Sequence, residues 1–263
     1  MSLALLTLAT AGEAPMGPPV NPWVMETGSI IFWSVLLAAT VLVTLFKRRL
    51  PLFGLVLIAA TSSFWQEFYG DWGAYDHWNP AFARLPLWGI SAYTTPVKPL
   101  FIPFSWGWWF ALSIPLLVSL TMWLGRRFPV LSTTGWAFVI AFPLFTAYQI
   151  QTEGSAVAQG WWSYDVVLGP AIESARGRLP LIFDFTLGLW AATFIAFLAR
   201  PDADGLRWYE RKLGVSAAMA GWHREMRRLV AMIVLFQLTF LAFNTLPPMI
   251  GRLLFGGPSA LVP

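Results

Sequence analysis

The chain has 263 residues, 57% of them hydrophobic and only 11% charged, against about 25% charged in an ordinary soluble domain. Its formal net charge is +4 and it has no cysteine, which excludes disulfides, thiolate nucleophiles, iron–sulfur clusters and cysteine-based zinc sites. The two histidines, His77 and His223, are too few for the multi-histidine iron or copper sites of membrane desaturases and hydroxylases.

The apolar runs are long and continuous rather than alternating, which predicts an all-α, polytopic membrane helical bundle forming one integral membrane domain over residues 1–263. Residues 1–12 are apolar without a basic n-region and read as a tail or partial helix, with no cleavable signal peptide. Spans are predicted near 28–46, 51–69, 106–124, 131–151, 180–199 and 229–250. Each is about 20 residues, enough to cross roughly 30 Å of hydrocarbon. Pro51, Pro129 and Pro180 suit helix starts, whereas Pro115 and Pro143 fall inside spans and should kink them.

Twelve of the 17 basic residues follow the first and third spans or lie between the fifth and sixth, and these should face the cytoplasm. Both termini then lie outside, in the cell membrane. Glu67, Asp71, Asp76, Glu153, Asp165, Glu173 and Asp184 sort to the opposite, non-cytoplasmic side. Two long loops on that side, about 70–105 and 152–179, are rich in Trp, Tyr, Pro and Gly and are expected to fold back as a lid or pocket wall. Residues 205–228 read as an amphipathic surface helix, with Trp208, Tyr209, Leu213 and Trp222 near lipid and His223 on the surface.

Three constellations carry candidate chemistry. The first runs from Phe64 to Pro80, gathering Glu67, Asp71, Asp76 and His77 among Trp65, Tyr69, Trp72 and Tyr75. Carboxylates at the edge of a membrane helix cost free energy, so they need a partner, water or a function. On a helix Glu67 and Asp71 share one face at i,i+4. Two carboxyls that close can share a proton, giving an acid and a base near neutral pH. Asp76 and His77 form a possible second proton-transfer pair. The competing reading is that these acids pair with Arg84, Lys98 or Arg178 and pin the loop. Gln66 lies beside Glu67 as a binding candidate.

The second constellation is Ser91–Pro103, where prolines 96, 99 and 103 impose an extended segment around Lys98. Lys98 reads as a counter-ion, with contact to a substrate oxygen as the sharper alternative. Trp106, Trp108 and Trp109 follow as an interfacial belt. The third runs from Tyr148 to Asp165: Gln149, Glu153, Trp162, Tyr164 and Asp165 again place polar groups and aromatics at the end of a span. Asp184 lies just inside the fifth span, where polar residues face the bundle interior. The sequence has no Gly-rich phosphate loop, nucleophile elbow or His-Glu-x-x-His motif. The basic side carries no nucleic-acid architecture.

The segments Trp65–Glu67, Gly70–Tyr75, Asn79–Pro80 and Thr95–Pro99 together resemble the actinobacterial spirocyclase AveC family, multi-spanning membrane proteins named for the avermectin pathway member. The resemblance implies spiroketal formation in polyketide biosynthesis: a dihydroxy-ketone loses water and closes two rings on one carbon. A further dehydration is associated with the avermectin member. The residues fit such chemistry, which needs an acid, a carboxylate near a developing cation, and a shaped pocket for a hydrophobic polyketide or macrolide precursor drawn from the lipid bilayer. It needs no cofactor or metal. A membrane terpene or isoprenoid cyclase would use nearly the same residues. A non-catalytic membrane subunit or carrier would use the acids as structural ion pairs.

Overall fold

The structure, a computed structural model, describes residues 17–86, 91–167 and 169–262; the tail expected at residues 1–12 lies outside them. In chain order the helices are α1 (Pro22–Lys47), α2 (Leu52–Ser62), α3 (Trp65–Ala74), α4 (Ile102–Arg127), α5 (Thr133–Trp136), α6 (Phe142–Ala158), α7 (Leu181–Leu198), α8 (Trp208–Lys212), α9 (Gly221–Phe240) and α10 (Leu246–Phe255). Among the described residues four segments are long and apolar enough to cross a membrane: α1, α4, α7 and the continuous stretch Gly221–Phe255. Large apolar side chains such as Ile31, Val35, Leu42 and Phe46 are exposed along α1, as expected of a helix facing lipid.

Three predicted spans are interrupted. The run at 51–69 breaks at Ser63 and Phe64 into α2 and α3. The hydroxyls of Ser62 and Ser63 both donate to the carbonyl of Ala59, at 2.7 and 2.8 Å, and such local bonds compete with the helical ladder. Gln237 Nε2 on α9 donates to the Ser62 carbonyl at 3.1 Å, satisfying an oxygen near the break. The run at 131–151 begins with the single turn of α5, widens into a π-turn at Ala137–Ala141 and continues as α6. The same device recurs at Leu241–Thr245 between α9 and α10. Pro143 and Pro247 each follow a π-turn by two residues, and a proline without an N–H suits a place where the ladder is already shifted. The kink expected at Pro143 is therefore a widened turn and a fresh helix start, while α4 continues through Pro115.

Residues 205–228 do not form one surface helix. Gly214 and Gly221 adopt left-handed φ of 82° and 63°, and they separate α8 from α9. Glu210 of α8 turns inward, where Arg228 Nε donates to it at 2.9 Å and Arg228 Nη1 donates to Glu225 at 2.7 Å. Trp208, Leu213 and Trp222 remain exposed, but Tyr209 is buried. The Ser91–Pro103 segment is less extended than its prolines imply: Ser91–Tyr93 is a 3₁₀ turn and Pro103 enters the first turn of α4.

The two long loops meet. Strand β1 (Asp76–Trp78) pairs antiparallel with β2 (Trp162–Tyr164), setting Asp76 against Tyr164, His77 against Ser163 and Trp78 against Trp162. Asn79 Nδ2 donates to the Gly160 carbonyl at 2.8 Å and extends the contact. Strands β3 (Ala171–Ser174) and β4 (Gly177–Pro180) form a hairpin that leads directly into α7. Beneath these strands the helices pack on Trp190, a fully buried indole with Phe110, Phe194, Phe236 and Phe240 rings 5.0–5.2 Å away.

Candidate active site

Helix α3 is ten residues long and carries Glu67 and Asp71 one turn apart. It ends at Tyr75, a non-glycine residue with φ of 60°, a conformation that costs about 1–2 kcal/mol. The surroundings hold it there. Tyr75 Oη donates to the Gly257 carbonyl at 2.9 Å, and the Arg252 guanidinium lies 4.1 and 4.2 Å from the Trp72 and Tyr75 ring centroids. This sharp turn swings the chain into β1 and brings Asp76 back beside the end of α3. Thr95 fastens the following segment, accepting no slack: its N–H donates to the Phe68 carbonyl at 3.0 Å and its hydroxyl to the Asp76 carbonyl at 3.1 Å.

A cavity of about 390 Å³ lies where α3, α4, α6 and the β1–β2 pair converge, with α1 along one side. Glu67, Asp71, Asp76 and Glu153 all line it, and among the described residues lining it none is basic. Its walls are aromatic, with Trp78, Trp106, Trp109, Trp162, Tyr164 and Phe240 among them. Trp78 and Trp162 stand 4.6 Å apart between ring centroids, directly across the strand pair.

Each acid is held differently. Trp78 Nε1 donates to Asp71 Oδ2 at 2.7 Å. Trp106 on α4 faces Glu67 as a hydrogen-bond donor. Glu153 is the most fully bound: Gln149 Nε2 donates to one oxygen at 2.8 Å, while Trp162 Nε1 at 2.6 Å and Tyr164 Oη at 3.4 Å donate to the other. Asp76 has a buried Oδ1 with no hydrogen-bond partner. Burial, followed by the charges of Glu153 and Glu67, pushes the Asp76 carboxyl well above the usual range. Tyr164 is likewise pushed up by burial first and then by Glu153, so its hydroxyl stays protonated and donates.

Of the residues singled out in the sequence, the structure brings Glu67, Asp71, Asp76, Gln149, Glu153, Trp162 and Tyr164 onto this one cavity. Asp184 is fully buried on α7 with both carboxyl oxygens unpartnered, behind the wall formed by Phe183 and Leu187. His77 falls outside the cavity lining because strand alternation sends it away from Asp76 and Trp78. Asp165 also lies outside it; Ser259 Oγ donates to its carboxylate, placing it with Tyr75, Trp72 and Arg252 against residues 256–262. Gln66 is locked into the helix packing, donating to Gln237 Oε1 at 2.8 Å and accepting from Thr245 Oγ1 at 3.0 Å. Trp65 and Tyr69 pack on one another away from the cavity. Lys98 Nζ donates to the Thr95 carbonyl at 2.9 Å and is not part of the lining.

Sequence reasoning missed Trp106, Trp108 and Trp109 as walls, because an interfacial belt and a pocket wall have the same composition. It also missed Ser105, and Asn244 in the second π-turn. Among the described residues no group of three or more His, Asp or Glu is arranged to hold a metal ion.

The family model described as Spirocyclase AveC-like matches residues 47–251, most of the chain, and the chain belongs to that family. All four cavity acids and Asn244 fall within the matched stretch; the α1 residues that border the cavity precede it. No curated protein and no solved structure matches the chain.

Proposed function

We propose that this member of the AveC-like spirocyclase family is a membrane spiroketal cyclase working by acid–base catalysis in the cavity beneath the β1–β2 pair. One observation carries the reading: four carboxyl groups from three separate segments share an aromatic cavity with no basic residue in its described lining. Buried acids without cations are costly as structural elements and suited to holding and moving protons.

The reaction follows from these groups. An acid, Asp76 or one member of the Glu67–Asp71 pair, donates a proton to the ketone oxygen of a dihydroxy-ketone. One substrate hydroxyl adds to that carbon and gives up its proton to a neighbouring carboxylate, forming a hemiketal. That neighbouring carboxyl, now protonated, passes its proton to the hemiketal hydroxyl, which leaves as water, and an oxocarbenium ion remains. The second hydroxyl captures it and returns its proton to the cluster. The net change is loss of one water, with every proton restored to the protein. Glu153, oriented by three donors, stabilises the cation in its carboxylate form. The indole faces add attraction of the cation–π kind. Fixed walls set which face of the carbonyl is attacked, so the protein's contribution is stereocontrol as well as rate. The same acids suit a later elimination of water from a hydroxylated ring.

The topology proposed with it has six passes, α2–α3, α5–α6 and α9–α10 being the interrupted ones, with the acids toward the non-cytoplasmic face of the cell membrane. The cavity is bordered by Val24, Met25 and Phe32 of α1 and by Gln151, Thr152 and Ser155 of α6, which fits lateral entry of an apolar chain from the bilayer. Single cysteines at Ala203 and Ser155, in a chain free of native cysteine, should label from opposite faces. Labelling of both from one face contradicts the topology. For the function, purified protein in lipid nanodiscs should turn a dihydroxy-ketone into one spiroketal stereoisomer. A carrier would bind the compound and release it unchanged, or as the mixture formed in buffer.

A further inference from the structure

The second π-turn, Leu241–Thr245, places one polar side chain in the cavity wall that the chemistry above does not use. Asn244 is 2% exposed, and its Oδ1 is buried with no hydrogen-bond partner. A buried acceptor without a donor costs free energy, so such a group in a folded protein calls for an explanation. Its neighbours are satisfied: Thr245 Oγ1 donates to Gln66 Oε1 at 3.0 Å, tying the turn to α3. The Asn244 backbone runs close along the same helix, its carbonyl 3.9 Å from where a Cβ on Gly70 would sit. The turn is therefore fixed against the helix that carries Glu67 and Asp71, while its asparagine faces the cavity they line. A π-turn inserts an extra residue into a helical ladder and redirects the side chains it contains, which is why such turns recur at functional sites.

We infer that Asn244 is a substrate-binding residue that holds one hydroxyl group of the substrate beside the carboxyl cluster. The assignment deepens the proposed cyclase reading and rests on it. The partner's chemistry follows from the orphaned atom. An acceptor requires a donor, and a ketone or ether oxygen has none to offer. A hydroxyl donates and accepts, so it satisfies either end of a carboxamide. The bound hydroxyl sits next to carboxyl groups able to take its proton and within reach of one ketone face. Asn244 thereby selects which hydroxyl closes first and from which side.

The test uses the full-length protein in phosphatidylcholine nanodiscs and two probes: an alkyl-chain dihydroxy-ketone and its analogue lacking one hydroxyl. Binding is followed by the fluorescence of the cavity tryptophans. The wild type should bind the dihydroxy-ketone roughly ten-fold more tightly than the analogue, the size of effect expected when one buried polar group is left unpaired. Asn244→Leu should bind the two probes alike, with a thermal unfolding midpoint equal to or above the wild type, because a misfit polar group has been replaced by an apolar one of similar size. A variant that keeps the wild-type preference overturns the assignment. So does one that weakens both probes equally and unfolds at lower temperature, the mark of a structural asparagine. Asn244→Ala is read in the same way if Asn244→Leu does not fold, and failure of both to fold also overturns it. A wild type that makes no spiroketal rejects the proposed function. A wild type that makes it, beside an Asn244→Leu protein with unchanged preference and stereochemistry, rejects Asn244 alone.

Discussion

Two buried clusters of acids, set in different parts of the bundle, have opposite logic. Glu210 and Glu225 are buried, yet both are bonded to the guanidinium of Arg228, and Glu225 also accepts from the Leu50 N–H at 2.9 Å. The cavity acids Glu67, Asp71, Asp76 and Glu153 have indoles, an amide and a phenol as donors, and no cation in the described lining. A neutralised cluster can stay charged and fixed, which suits it to locking α8 against α9. In the cavity cluster Lys98, outside the lining, acts on Asp71, and the remaining acids can trade protons. The comparison teaches that burial of an acid is not the functional signal; burial without a cation, around a space, is.

Breaking the first cluster should cost stability and little else. Arg228→Met leaves Glu225 without its cation and Glu210 with only the longer contact to Arg207 at 3.9 Å, and should destabilise the protein by about 3–5 kcal/mol, seen as an earlier thermal unfolding transition in detergent. Turnover per folded molecule should stay at the wild-type level. A variant that unfolds normally but loses turnover would blur the contrast between the clusters. Trp78→Phe should show the reverse pattern with a smaller effect. It removes the donor to Asp71, and an unpaired buried group is worth about 1–3 kcal/mol, so the rate should fall by an order of magnitude or more while the ring packing on Trp162 persists. An unchanged rate and unchanged product stereochemistry would show that Asp71 needs no orientation.

The smallest effect concerns pH. The Asp76 carboxyl is raised by burial first and by neighbouring charge second. Between the ordinary carboxyl pKa and its raised value the folded protein keeps a proton that the unfolded chain has released. Folded protein then binds more protons, so stability falls as pH rises through that window and is unaffected below it. Asp76→Asn should match the wild type in acid and gain on it as pH rises, in unfolding midpoints measured across the range. Midpoints that stay parallel would mean that Asp76 is not held protonated.

Much of this was legible in the sequence for identifiable reasons. The matches of α1, α4 and α7 to hydropathy runs reflect uninterrupted apolar composition. The i,i+4 spacing of Glu67 and Asp71 placed both on one helical face, and both line the cavity. The break after Ser63 was hidden because serine hydroxyls and Gln237 repair the backbone from within, leaving the hydropathy of the run intact. His77 was grouped with Asp76 because adjacency in sequence says nothing of alternation until a strand is recognised, and a three-residue strand paired with a distant partner leaves no local pattern. Asn244 was lost in an apolar span, since one polar residue near Pro247 and Pro248 does not announce a π-turn. The tail contact of Asp165 with Ser259 joins residues 94 positions apart and has no sequence signature.

The most direct test compares wild type, Glu67→Gln and Asp71→Asn in nanodiscs, following rate and stereoisomer ratio of spiroketal formation from a dihydroxy-ketone. Both variants keep shape and remove one titrating group. The account predicts a rate loss of about 10²–10⁴-fold in each, together with drift toward the uncatalysed stereoisomer mixture and unfolding midpoints no lower than wild type. Full rate and full stereocontrol in both variants would contradict it.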